Sequence, residues 1–218
     1  MRVVILPTEK EASDFAANFI EKFIAEKNNT VLGLATGGSV FSTYDALIRK
    51  YQNGRISFQN VVTFNLDEYV GLAPNHKQSY RHYMNKNLFD HIDINKKNTH
   101  IPECLDGNFE LTCSNYESLI KSHGGINLQL LGVGSNGHIG FNEPTSSLKS
   151  RTRVKTLTNN TIHNNARFFG ESELQPSIAI TMGIGTIMDA ENIILLGLGQ
   201  HKSRAVADLV EGPLSSFC

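Results

Sequence analysis

A chain of 218 residues with 20 basic and 21 acidic side chains, net charge −1 and pI about 6.7, lacks the electrostatic footprint of a nucleic-acid or anionic-membrane binder. Its 40% apolar content supports one domain with a sizeable core over residues 1–218. Cys104, Cys113 and Cys218 have no metal-ligand spacing and give neither a disulfide framework nor a zinc site; the apolar run Val3 to Leu6 is too short for a signal-peptide core and no run reaches membrane-span length, so a cytoplasmic location is expected.

Val3 to Leu6 reads as a short strand. Thr8 then caps a helix, with Glu11 three residues on in a reciprocal capping box, and Ala12, Phe15, Ala16, Phe19, Ile20, Phe23 and Ile24 make its apolar face. Val31 to Ala35 reads as a buried strand, and Thr36-Gly37-Gly38-Ser39 opens a helix whose inner face carries Val40, Tyr44, Leu47, Ile48 and Tyr51. Val61 to Phe64 is a third strand, ending at Asn65-Leu66-Asp67-Glu68-Tyr69. A helix from Ser79 to Phe89 follows, with Tyr80, Tyr83, Met84 and Leu88 as its core face, and a weaker one runs from Leu111 to Ser122.

The central stretch is Leu130 to Glu143, where an apolar run meets Gly132, Gly134, Gly137 and Gly140, as a buried strand does when it ends in a loop pressed against a ligand. Strand and helix then alternate to the end: strands over Arg151 to Thr158, Ile178 to Met182 and Ile193 to Leu198, and helices over Ile162 to Phe169 and Lys202 to Val210, with Ala205, Val206 and Leu209 facing inward. This alternation predicts an α/β fold, three-layered and doubly wound around a mostly parallel, Rossmann-like sheet, with ligands at the carboxyl ends of the strands.

Three segments then share one edge. Asn136, His138 and Glu143 put an amide, an imidazole and a carboxylate on one short loop, an acid/base set in which a partner on one ring nitrogen fixes the tautomer at the other. Asp67 follows an apolar strand beside Glu68, and because neighbours on a strand point to opposite faces, at most one of them faces the cavity. Small residues at Gly37, Gly38 and Ser39 suit a phosphate cradle at a helix N-terminus, with Arg167 and Lys202 as cations to complete it. A tight turn without a ligand, and two solvated surface charges, account for the same residues.

At Asn65 to Gly71 (NLDEYVG), Gly132 to Pro144 (GVGSNGHIGFNEP) and Ser150 to Thr156 (SRTRVKT) the sequence closely resembles the glucosamine-6-phosphate deaminase family, over nearly the whole chain. The resemblance implies conversion of glucosamine 6-phosphate and water to fructose 6-phosphate and ammonia in amino-sugar catabolism, without a cofactor and with no metal site. It implies that Asp67 moves the C2 proton, that His138 opens the sugar ring with Asn136 and Glu143 tuning it, and that Gly37, Gly38, Ser39, Arg167 and Lys202 hold the phosphate. It further implies homo-oligomers, hexameric in some members, and activation by N-acetylglucosamine 6-phosphate at Ser146, Ser147, Arg153 and Lys155. Two features depart from the family's best-studied form: Asn136 stands where that form has an acid, and the relatives continue past Glu211-Gly212-Pro213 with a further strand and helix. A 6-phosphogluconolactonase-like hydrolase and a non-catalytic sugar-phosphate sensor are the alternatives.

Overall fold

The structure, a computed structural model, describes residues 1–103, 107–158, 175–213 and 215. Two sheets form among them. The larger has five strands: β1 (Val31–Leu34), β2 (Val62–Asn65), β4 (Thr99–His100), β5 (Leu128–Gly132) and β8 (Asn192–Leu196), in the order β4-β2-β1-β5-β8. Every neighbouring pair in it is parallel. From β1 the chain moves outward to β2 and β4, then crosses back past β1 to β5 and β8. With right-handed crossovers this reversal puts the helices of the two halves on opposite faces, the doubly wound arrangement expected, and leaves a switch point between β1 and β5.

The strands are short and apolar because both faces are covered: β1 and β2 are buried at all four positions each and β5 at its first four. Helix α2 (Gly38–Gln52) presents Val40, Tyr44 and Leu47 to the core. Helix α3 (Tyr80–Asn87) starts on Ser79, whose hydroxyl accepts the His82 N–H, and buries Met84. Helix α4 (Phe109–Ser122) buries Cys113, Tyr116 and Ile120. The Tyr116 hydroxyl donates to the carbonyl of Asn65 at 2.7 Å, pinning the end of β2. No helix among the described residues is long and apolar enough to cross a membrane.

Four expectations need correction. Val3 to Leu6 forms no strand: Val3, Val4 and Ile5 are exposed and find no ladder partner among the described residues. Helix α1 (Glu9–Glu26) exists, with Thr8 accepting from the Glu11 N–H, but the Glu11 carboxylate takes the Thr8 hydroxyl instead of closing the reciprocal box. Its inner stripe is narrower than read, with Ala16, Ala17 and Ile20 buried and Phe15 and Phe19 exposed. Near the end, a 3-10 turn (Gln200–Lys202) precedes α6 (Ser203–Glu211), and Leu209 is exposed while Ala205 alone of that helix is buried. The helix expected over Ile162 to Phe169 lies outside the described residues.

The second sheet is the larger departure. Strands β3 (Asp67–Tyr69), β7 (Ile178–Thr181) and β6 (Arg153–Thr156) form an antiparallel sheet in the order β3-β7-β6, separate from the parallel one. After β7 comes a short helix, α5 (Ile184–Met188). The two sheets meet at Leu66, whose N–H donates to the Leu34 carbonyl and whose carbonyl accepts from Met182 at 2.7 Å. One residue between β2 and β3 carries the chain from one sheet to the other.

Helices α1 and α2 are held together by a nearly dry ion pair. The Lys50 ammonium, on a residue only 8% exposed, donates to Glu21 at 2.7 Å and to the Asn18 amide oxygen at 2.5 Å. Removing one partner leaves a charge without compensation, whereas replacing both with apolar groups restores packing. Glu21→Ala is therefore expected to destabilise the fold by about 3 kcal/mol, and Glu21→Leu with Lys50→Met to recover most of that loss. Urea unfolding of both variants measures this, and equal losses would refute it.

Candidate functional site

The cavity at the switch point has a volume of about 370 Å³. The ends of β1 and β5 form two of its walls, through Ala35 to Ser39 and Gly132 to Asn136. Gly37, in the left-handed region at φ 109°, is the N-cap of α2, and no side chain among the described residues caps that end. The first-turn N–H groups of a helix have no intrahelical acceptor, and here they carry the positive end of a 15-residue helix at the cavity wall. Lys202, from the 3-10 turn before α6, lines the same space. Burial lowers its pKa from the ordinary lysine value.

Asp67 faces the cavity from the second sheet. Its backbone pairs with Thr181, and the side chain is 5% exposed. Burial, with the neighbouring Glu68 charge as the lesser cause, pushes its carboxyl up to about 8. Glu68 turns the other way, as strand alternation requires, and does not line the cavity. It accepts the backbone N–H groups of Tyr69, Tyr80 and Arg81, each at 2.9 Å, so it anchors the first turn of α3. Burial raises Glu68 to about 7 even though those three donors pull the other way.

The loop after β5 brings in the imidazole. His138 Nδ1 lies 2.6 Å from Asn136 Oδ1, and the Asn136 amide donates through Nδ2 to Glu143 Oε2 at 2.9 Å. The amide oxygen only accepts, so Nδ1 carries the proton and Nε2 is left as the acceptor. Burial is the main cause holding His138 below the ordinary histidine range; the Glu143 carboxylate, 3.8 Å away, works against it and Lys202 adds to it. A neutral imidazole with a fixed tautomer results.

Glycines permit this crowding. A side chain at Gly134 would begin 2.3 Å from the His138 ring, and one at Gly140 would begin 2.8 Å from Asp67 Oδ2. The loop is also stitched to β7: Phe141 N–H donates to the Thr181 hydroxyl, and Asn142 Nδ2 donates to the Met182 carbonyl at 2.7 Å. Because Thr181 is the ladder partner of Asp67, these bonds set the imidazole loop directly against the carboxyl.

Of the expected site residues, Gly37, Gly38, Ser39, Asp67, Asn136, His138, Glu143 and Lys202 all line this one cavity. Arg167 lies outside the described residues. Ser146, Ser147, Arg153 and Lys155 lie away from it, the serines on the loop after Glu143 and the two basic residues at alternate positions of β6. Tyr80 packs against the buried cluster of Tyr69 and Phe141, as expected of the inner face of α3, and it also lines the cavity, which helical spacing did not indicate. Tyr83 is partly buried, and its hydroxyl reaches the cradle, donating to the Gly37 carbonyl at 2.8 Å. Tyrosine where leucine would suffice was the only hint in the sequence.

The arrangement offers an anion seat, a buried carboxyl poised near neutrality and a neutral imidazole, all on one small cavity. The chain as a whole is similar to known proteins. The family model described as glucosamine-6-phosphate isomerases/6-phosphogluconolactonase matches residues 8–216. A glucosamine-6-phosphate deaminase from Shewanella woodyi is 54% identical over 218 residues, covering 100% of this chain and 83% of the relative. Another from Thermoanaerobacter pseudethanolicus is 50% identical over 216 residues, covering 99% and 85%. A solved structure described as a monomeric glucosamine-6-phosphate deaminase superposes with a TM-score of 0.95 at 46% identity, covering 99% of this chain and 90% of that one. A 6-phosphogluconolactonase from Thermotoga maritima, at 19% identity and a TM-score of 0.69 over 93% and 87%, shares the fold. With its model matched almost end to end and its deaminases half identical to this sequence, the chain belongs to the glucosamine-6-phosphate isomerase/6-phosphogluconolactonase family.

Proposed function

We propose that this chain is a glucosamine-6-phosphate deaminase, converting glucosamine 6-phosphate and water to fructose 6-phosphate and ammonia in the cytoplasm. One observation carries the reading: a buried carboxyl and a neutral imidazole of fixed tautomer face the same cavity as an uncapped helix N-terminus. The phosphate sits on the first turn of α2 with Lys202 and, by resemblance, Arg167. His138 Nε2 accepts the proton of the anomeric hydroxyl and returns it to the ring oxygen, opening the sugar to its aldehyde. Glu143, acting through Asn136, stabilises the transient imidazolium.

Once the aldehyde forms, the C2 proton becomes acidic. Asp67, as the carboxylate, removes it while the carbonyl oxygen takes up a proton, giving an enolamine, and then delivers it to C1 as the protonated amine gives up one proton in return, leaving an imine at C2. Water adds to that imine and ammonia departs, so no electrons are exchanged with an outside partner. A lactonase would need no base for a carbon-bound proton, and the lactonase structures, at 19% identity or less, speak only to fold. Simultaneous release of ammonia and fructose 6-phosphate tests the reading; lactone hydrolysis without ammonia, or binding without turnover, would replace it.

The activator site at Ser146, Ser147, Arg153 and Lys155 is part of the proposal. Its support is a buried Ser146 hydroxyl without a hydrogen-bond partner among the described residues and a desolvated Arg153 on the second sheet. Assembly into a homo-oligomer is a separate matter, since a 46% identical relative is described as a monomeric deaminase. N-acetylglucosamine 6-phosphate is expected to lower the half-saturating concentration of glucosamine 6-phosphate, and Arg153→Ala to abolish that response. Saturation curves indifferent to the acetylated sugar would remove the activator.

Asp67→Asn is expected to lower kcat by about 10³-fold, the scale of a lost general base, with KM little changed. In the parent, kcat/KM should rise with pH through about 8, as Asp67 releases its proton. The same substitution has a stability sign. The folded carboxyl titrates near 8 and an unfolded aspartate near about 4, so the folded state keeps a proton that the unfolded chain has lost across this window, and stability falls as pH rises through it. The variant should therefore melt higher than the parent at pH 7.5, the gap closing toward pH 4; a lower melting temperature at pH 7.5 would contradict the assignment.

Asn136→Asp adds a carboxylate beside the imidazole. It is expected to keep turnover within about tenfold and to raise the lower of the two acidic inflections of the pH profile, the one set by His138 beneath that of Asp67, because an adjacent anion raises the pKa of His138. An unchanged profile would show that Asn136 does not govern the ring.

A further inference from the structure

Tyr83 does not line the cavity, yet its hydroxyl is bonded to the cradle. The 2.8 Å bond falls on the carbonyl of Gly37, the residue that caps α2. That carbonyl and the N–H of Gly38 belong to one peptide unit, and no peptide bond among the described residues is cis. In a trans unit the two groups point in opposite directions. Fixing the carbonyl on the Tyr83 side therefore fixes the Gly38 N–H on the other side. Gly37 and Gly38 line the cavity and Tyr83 does not, so that other side is the cavity.

Gly37 occupies φ 109°, and its carbonyl, that of the N-cap, accepts the first intrahelical bond of α2, so the Tyr83 hydroxyl adds a second restraint on a peptide flanked by two glycines. A flip of the Gly37–Gly38 peptide would present an oxygen to the cavity in place of a donor, and repel an anion. The hydroxyl opposes that flip, and by polarising the peptide it strengthens the N–H as a donor.

Tyr83 is itself held firmly. It is the fourth residue of α3, one turn on from Tyr80, and the first turn of that helix is tied to β3 by the Glu68 carboxylate through the Tyr80 and Arg81 N–H groups. One short helix thus joins the strand bearing Asp67 to the loop bearing the cradle.

We infer that Tyr83 is the positioning residue of the anion seat, holding the Gly37–Gly38 peptide in the one orientation that offers its N–H to a phosphate oxygen. This rests on the phosphate being bound at the cradle, and it assigns to a side chain outside the cavity the control of affinity for the phosphate end of the substrate. Tyr83 touches no reacting atom, so its effect falls on binding and leaves the proton transfers alone.

The test is Tyr83→Phe, which keeps the ring and its packing, in the full chain. Calorimetric titration with inorganic phosphate should show a Kd about threefold to tenfold weaker than in the parent, the scale of one neutral hydrogen bond. KM for glucosamine 6-phosphate should rise by the same factor while kcat stays within about twofold. An unchanged phosphate Kd, whatever the loss of thermal stability, would overturn the inference and leave Tyr83 a packing residue. A kcat that falls with KM unchanged would overturn it too. If the parent binds phosphate but releases no ammonia from the amino-sugar phosphate, the deaminase reading fails while the two phosphate constants still decide the role of Tyr83. A parent that binds no phosphate overturns the inference directly.

Discussion

A carboxyl taken out of water is the constraint around which this molecule is arranged. Asp67 ends the hydrophobic passage from β2 through Leu66, and Leu66, Tyr80 and Phe141 line the cavity with it. Burial, with Glu68 as the lesser cause, raises its proton affinity until it titrates at about 8. Stability is lost by this, and reactivity is gained.

His138 is treated in the opposite way. Burial favours its neutral form, and a hydrogen-bonded amide stands between it and the nearest carboxylate. An amide has a fixed polarity: its oxygen can only accept and its nitrogen can only donate. Passing Glu143's influence through Asn136 therefore fixes which ring nitrogen is basic without bringing a full negative charge within bonding distance of the ring. Environment divides the labour, since a basic carboxylate and a neutral imidazole are both available near pH 8 on the lining of one cavity.

Much of this was written in the sequence. The apolar runs at Val31, Val62 and Leu128 gave the parallel strands, and Asp67, Asn136, His138 and Glu143 were legible because polar residues crowd where such runs end. The antiparallel sheet was not legible. Its strand Asp67–Tyr69 is three residues long and follows β2 after a single residue, so no periodicity distinguishes it from a loop. Tyr80 and Tyr83 were hidden for another reason. Helical spacing counts a tyrosine toward the core without saying where its hydroxyl ends, and both hydroxyl-bearing rings lean toward the site. Val3 to Leu6 misled in the other direction, because strand-like composition alone supplies no ladder partner.

The single-residue crossing at Leu66 has a consequence for which molecules can react. The N-terminus of α2 belongs to the parallel sheet and Asp67 to the antiparallel one, and Leu66, bonded to Leu34 on one side and Met182 on the other, ties the two together. In the proposed reaction that tie works as a ruler laid along the substrate: the number of bonds from phosphorus to acidic carbon has to span the separation, and shorter or longer chains would present the wrong carbon to Asp67.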